Sequence, residues 1–534
     1  RQRIYCSQVA DMTPKRIVND ADINKLRDLL SSTTAHVRAP GDEGYDKSIE
    51  RWSRAAEKKA GVAIAPTKSE EVAIAVKYAT EEGLDLGVKG GGHSTAGASS
   101  TDGGVLIDLG RMRTVDVDEG KQQLSVLGGC LWSDVDEAAW KYRLATVGGT
   151  VSDTGVGGLT LGGGYGVLSG KRGLVIDNMV GATVVLANGE IKKASKDENP
   201  ELFWALNGAG QNFGVTTEFV LQAYPQKELY LGTMLFAPTP ETISKLVAAV
   251  NDLYIVKDGP NGPETKSKGK AMSLIGFAKP PPAEGKTMIL MNAVIDGTEE
   301  EGKALLQPFF DVGPAVNMMR MDAYPECNKL VPAMIGMRSS MKGAAFVVPI
   351  REEFVGDVLA KYEEFTAGCE DAAASVVAWE LYDSVKVAHG TAGSFANRGY
   401  HLNSLVMPVS ASKIPGAERL IPETRANNSV MKMWTKPEND QGSRQFARDV
   451  SNMFKKEIER SPGTEASDGI EGGASVRGKK GAVMLYGNYD VSGISHLPCL
   501  PQTGWTNYGT AIRRDLARYL RRQLLQAGQA EGAV

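Results

Sequence analysis

Between residues 83 and 214 the chain carries glycine in runs that neither a helix nor a strand interior tolerates. Gly90-Gly91-Gly92 precede His93, and further on come Gly148-Gly149, Gly157-Gly158 and Gly162-Gly163-Gly164. A glycine inside a regular element costs roughly 0.5–1 kcal/mol relative to alanine. The runs are therefore loops whose backbone lies against something too close for a Cβ. Short apolar segments alternate with them: GVAIAP (61–66), LDLGV (84–88), VLIDLGRM (105–112) and QQLSVLGG (122–129). These read as strands, so the glycine belongs to a folded ligand-binding scaffold rather than to a low-complexity segment.

The order of elements narrows the choice. Thr67-Lys68-Ser69-Glu70 has the pattern of a capping box, opening a helix to about Glu82. Val72, Ala75, Val76 and Ala79 form its apolar stripe, and Gly83 stops it. A strand, a helix and a strand thus lead straight into GGGH. A Rossmann fingerprint would continue into a helix, but STAGASSTDGG (94–104) has no helical period. Phosphates would here be held by loop amides. WSDVDEAAWKYRL (132–144) reads as a helix. Asn188-Gly189 marks a hairpin between apolar alternations, and residues 199–225 read as a helix, a glycine turn and a strand.

A chain of 534 residues exceeds the roughly 250–300 that one core sustains, so more than one domain is expected. We divide it into a lead-in (1–45), a glycine-rich domain (46–225), a second domain of alternating strands and long helices (226–475), and a C-terminal segment (476–534). Net charge is −4, with no basic stripe to bind nucleic acid or a membrane surface. No apolar run approaches the roughly 18–20 residues of a membrane helix. Cys6, Cys130, Cys327, Cys369 and Cys499 are too scattered for a metal site or a disulfide framework. The chain starts at Arg1 without Met, as a trimmed or mature form would. Its one N-x-S/T sequon, at Asn427, favours a cytoplasmic over a secreted location.

Five segments, GGGHS, ATVGGT, TGVGGLTLGGGYG, GLVIDNMVGATVVLANGE and ELFWALNGAGQNFGVTTEF, occur in an order that resembles the PCMH-type FAD-binding fold of the vanillyl-alcohol oxidase superfamily. Within it the chain is most similar to the berberine-bridge-enzyme-like oxidoreductases, densely over 58–225 and loosely over 480–516. The resemblance implies an α+β fold: a two-subdomain PCMH-type FAD-binding domain, plus a substrate domain with an antiparallel sheet covered by helices. It implies FAD, with the pyrophosphate along Val88, Lys89, Gly90, Gly91, Gly92 and Ser94, and His93 joined covalently to the flavin 8α-methyl. A neutral imidazole nitrogen is a competent nucleophile near pH 7. Further contacts are implied at Gly149, Thr150, Val151, Thr154, Gly155, Gly157, Gly158 and Leu159. Others fall at Gly164, Gly166, Asp177, Asn178, Val180, Gly214, Val215, Asn507 and Tyr508. Many relatives carry a second flavin bond from a cysteine whose position here is Val151. Cys130 lies about twenty residues too early, so a single link of the hydroxynicotine-oxidase type is expected.

For the chemistry, LYGNYD matches a family Tyr-x-Asn-Tyr motif and points to Tyr486 and Tyr489 as candidate bases, of which at most one can face the flavin and Tyr489 is preferred. FANRGYHLN (395–403), taken as a strand, puts Arg398 and Tyr400 on one face and His401 on the other. Tyr382 is a further candidate. The family asparagine expected at Ala511 is missing. The function implied is oxidation of a small alcohol, amine or secondary-metabolite intermediate, by hydride transfer to flavin N5 and reoxidation by O2 to H2O2. A non-redox flavoprotein cyclase and an FAD dehydrogenase are the alternatives. The oligomeric state is left open.

Overall fold

The computed structural model describes residues 16–410 and 439–460, apart from 281–282, 284, 333–336, 391–392 and 396. Its first sheet runs His36–Arg38, Val62–Ala65, Val105–Asp108, Leu86–Lys89. The last three strands are parallel and the first is antiparallel to its neighbour. All four residues of Val62–Ala65 are buried, as a parallel strand covered on both faces requires. Helix Ser69–Glu81 buries Val72, Ala75, Val76 and Ala79, the stripe read from the sequence. The expected capping box does not form. Lys68 is the N-cap and makes no side-chain bond, and Glu70 stays exposed. The buried Glu71 instead accepts from the backbone N–H groups of Thr67 (2.7 Å) and Thr34 (2.9 Å), which ties two segments together rather than closing one turn.

The second sheet is antiparallel throughout, in the order Val115–Asp118, Gln123–Leu127, Val215–Gln222, Met179–Val185, Ile191–Ser195. Gly189 turns its hairpin with φ +82°. Leu124 and Val126 join Phe219, Leu221 and Val184 in a core that helix Trp132–Trp140 seals with Trp132, Val135 and Ala139.

An eight-stranded antiparallel sheet follows. Its spine is Leu229–Phe236, Met288–Ile295, Ala271–Ala278, Val376–Tyr382, Leu402–Met407 and Lys342–Phe346. Strand alternation sorts its faces. Tyr230, Met234 and Phe236 pack with Leu246, Phe309, Phe354 and Phe454, from four helices that cover one face. Leu229, Leu231 and Val294 join the core of the second sheet instead. The helix-free face is thus turned towards the glycine-rich half.

One expected strand is shorter. FANRGYHLN becomes extended only from Leu402. Upstream, Ser394 and Phe395 donate their backbone N–H groups to Trp204 O and Asn207 O at 3.1 Å, docking on helix Pro200–Ala209 where it kinks at Asn207-Gly208. Arg398, Tyr400 and His401 all precede the strand, so their expected two-faced placement does not arise.

Candidate functional site

Lys89 ends a parallel strand, and the next residues form a loop that delivers His93. A Cβ on Gly91 would stand 2.5 Å from Gly155 N, and a Cβ on Gly155 2.4 Å from Gly91 N. The two glycine segments therefore interlock backbone against backbone. The neighbour that excludes a side chain at Gly91 is protein, whereas the sequence suggested a cofactor. Gly157 and Gly158 differ: a Cβ there would meet nothing nearer than 3.5 Å at the first and nothing within 4 Å at the second. Both lie in helix Val156–Leu161, capped by Gly155.

Interlocking brings Asp153 to His93, with Nε2 and Oδ1 3.6 Å apart. Trp52 stacks on the imidazole, centroids 4.4 Å apart and planes 25° apart. Its backbone N–H donates to Gly92 O at 3.1 Å, which fixes it to the same loop. Beside Gly92 lie two cations, one buried and one partly buried. Arg51 is 2% exposed and donates to Ser48 O, Glu50 O and Ser99 O. Burial lowers its guanidinium to about 10. Lys89, also lowered by burial, donates to Lys47 O and Ser48 O at 3.0 Å, with Asp108 at 3.7 Å.

Buried polar atoms without a partner collect on these segments: His93 Nε2, Asp153 Oδ1 and Oδ2, Trp52 Nε1, Arg51 Nε and Thr160 Oγ1. Each such atom costs roughly 1–3 kcal/mol if left unsatisfied. The orphaned donors of Arg51 and Trp52, two cations and an open glycine face suit a flat ligand that carries phosphate. FAD fits this description.

The other expected cofactor residues spread over the same region. Val88 is on the first sheet, and Ser94 follows His93, its hydroxyl accepting from Ala98 N–H. Gly149, Thr150, Val151 and Thr154 form the loop before Gly155, and Leu159 sits in the helix after it. Gly164 and Gly166 lie in the next loop, Val180 and Val215 on the second sheet, and Gly214 just before Val215. Asp177 and Asn178 end a short 3-10 turn and are committed within the protein. Asn178 donates to Arg172 O and Leu174 O and accepts from the Tyr224 hydroxyl. Asp177 takes two bonds from Arg398, at 2.6 and 3.0 Å, and one from Leu174 N–H.

Among the catalytic candidates, Arg398 is thus engaged with Asp177. His401 is buried, donates from Nε2 to Asn397 Oδ1 at 2.8 Å, and is lowered by burial to about 4. Tyr400 shares a 3.3 Å hydrogen bond with His389. Tyr382 accepts from Asn403 Nδ2 at 3.2 Å, and its ring lies 5.0 Å from that of Tyr165. Burial raises the Tyr165 hydroxyl to about 12, and it donates to Asn397 O at 3.3 Å. Tyr486, Tyr489, Asn507 and Tyr508 lie outside the described residues, as does Ala511. Sequence reasoning missed Asp153, Trp52, Arg51 and Tyr165. Tyr165 sits inside the quoted GGGYG, which is the one signal that could have found it.

A family model described as an FAD binding domain matches residues 60–195. An FAD-linked oxidoreductase of Dictyostelium discoideum is 32% identical over 64% of this chain and 72% of its own length. The FAD-linked oxidoreductase pgmH of Aspergillus terreus is 34% identical over 56% of this chain, which spans only 58% of that protein's length. Among solved structures, 6-hydroxy-D-nicotine oxidase from Arthrobacter nicotinovorans superposes with a TM-score of 0.61 at 22% identity, over 81% of this chain and 92% of that one. The fold is that of the PCMH-type FAD-binding oxidases. The chain belongs to the FAD-linked oxidoreductases.

Proposed function

We propose that the protein is an FAD-dependent oxidase of a small alcohol, amine or secondary-metabolite intermediate, with His93 as the single covalent tether of its flavin. The observation that carries this reading is His93 itself. The interlocked glycine segments present it beneath Trp52, beside the cations Arg51 and Lys89 and a row of unsatisfied polar atoms. When bound there, FAD would supply a hydride acceptor and a two-electron route to O2, giving H2O2. Arg51 and Lys89 place positive charge beside Gly92, where the pyrophosphate would run. Gly157 and Gly158 keep side chains out of the cofactor's path.

Cys130 provides no second tether. It is fully buried, donates to Thr114 O at 3.3 Å, and is raised to about 12 by burial, so its nucleophilic thiolate is scarce. For the substrate proton we favour Tyr382. The bond that it accepts from Asn403 stabilises the phenolate oxygen. Tyr165, held protonated at neutral pH and donating to Asn397 O, would pack beside Tyr382. Anaerobic mixing of the FAD-loaded protein with a panel of small alcohols and amines tests the reading. At least one should bleach the flavin, and admitting air should restore the colour with one H2O2 per turnover. Flavin that no member bleaches, in a protein that still converts one of them, would make it a non-redox enzyme.

A further inference from the structure

We propose that Asp153 is a positioning residue for His93: it holds the Nε2–H of the imidazole and so makes Nδ1 the nitrogen that bonds the flavin. The inference rests on the tether reading above and specifies its chemistry. His93 Nε2 is buried, has no hydrogen-bond partner and faces Asp153 Oδ1 at 3.6 Å. Both Asp153 oxygens are buried and equally without a partner. An ionised carboxylate with no donor is costly to bury, and the ring N–H facing it supplies one after a small in-plane rotation. Trp52, stacked on the imidazole, permits that rotation and blocks tilting. The His93 side chain is 19% exposed, and the Nε2 edge is not part of that exposed surface.

A neutral imidazole has one N–H and one lone pair. A carboxylate fixed at one nitrogen selects the tautomer and orients the ring, as in hydrolase triads. With the proton held at Nε2, the lone pair stands on Nδ1. Forming the tether joins Nδ1 to the flavin 8α carbon. The 8α-methyl gives up one proton, and the imidazole gives up its Nε2 proton, which Asp153 is placed to accept. The electron pair of the broken C–H bond remains in the flavin ring. Dioxygen then takes that pair with two protons and leaves as H2O2, so the balance is one flavin, one imidazole and one O2 giving the tethered oxidised flavin and one H2O2.

The wild-type protein is digested, and the nitrogen bonded to the 8α carbon is identified by proton NMR of the flavin peptide. Attachment at Nδ1 is expected. Separately, Asp153→Asn and Asp153→Ala, produced without flavin, are mixed with FAD and air. Both should take up FAD, as seen in the visible spectrum before denaturation. The rate at which colour becomes resistant to acid precipitation should fall roughly tenfold or more. Attachment at Nε2, or variants tethering at the wild-type rate, overturns the proposal alone. Wild-type protein that binds FAD and never tethers it overturns the proposal together with the tether reading. The linkage assignment needs no variant, so it stands even where a substitution fails to fold.

Discussion

His401 is the clearest case of burial setting a group's behaviour. Desolvation holds it to about 4, against 6.5 for an ordinary histidine. The unfolded chain therefore binds a proton between those values that the folded chain refuses. The corresponding stability is fully present above pH 6.5 and is lost as pH falls towards 4. The shift amounts to about 3 kcal/mol. Urea unfolding of wild type and His401→Gln from pH 7.5 to 4.5 should show the difference shrinking at the acid end, and a constant difference would contradict the assignment. The type and loop position of His93 were legible in the sequence, because its three preceding glycines are contiguous. Asp153 was not, because sixty residues separate it from His93 and only the contact between Gly91 and Gly155 joins them.

Interlocked loops make a prediction about elements. Gly91→Ala forces a methyl to 2.5 Å from Gly155 N, where backbone must yield. It should destabilise the protein by about 1–3 kcal/mol, by analogy with overpacking elsewhere. Gly158→Ala meets no atom within 4 Å and adds helix propensity, so its unfolding midpoint should match or exceed wild type. Its FAD affinity should nevertheless fall if Gly158 lines the cofactor as proposed, since the added methyl would stand in open space beside it. Urea midpoints and flavin titration separate the two glycines. Strands, the hairpin and the helix of residues 69–81 were readable because their patterns are local. The Glu71–Thr34 contact and the loop at 395–401 were not, because in each the partner, Thr34 or Asn207, is remote in sequence.

At the scale of the molecule, the glycine-rich half shares a core with the eight-stranded sheet, and polar contacts add to it. The Asp177–Arg398 pair crosses 221 residues with both side chains mostly buried, at 13% and 10% exposure. Phe395 enters a space that Gly163 and Gly208 leave free, since a Cβ on either would lie 2.4–2.5 Å from it. Arg398→Ala strands the Asp177 carboxylate and should cost about 3–5 kcal/mol. Arg398→Ala combined with Asp177→Asn should recover part of that loss, and a denaturant melt of the two variants decides whether the pair acts as a unit. The change in glycine density showed that the chain has two kinds of region. It gave no hint of this junction, whose residues carry no joint pattern.

The atom to which the flavin is bonded is directly measurable. Purified protein, precipitated in acid and digested, should yield a yellow peptide that contains His93 and carries the added mass of FAD. His93→Ala should release all of its flavin to the supernatant, and Cys130→Ala should release none. Colour that leaves the wild-type precipitate, or stays with His93→Ala, would contradict the single histidyl tether.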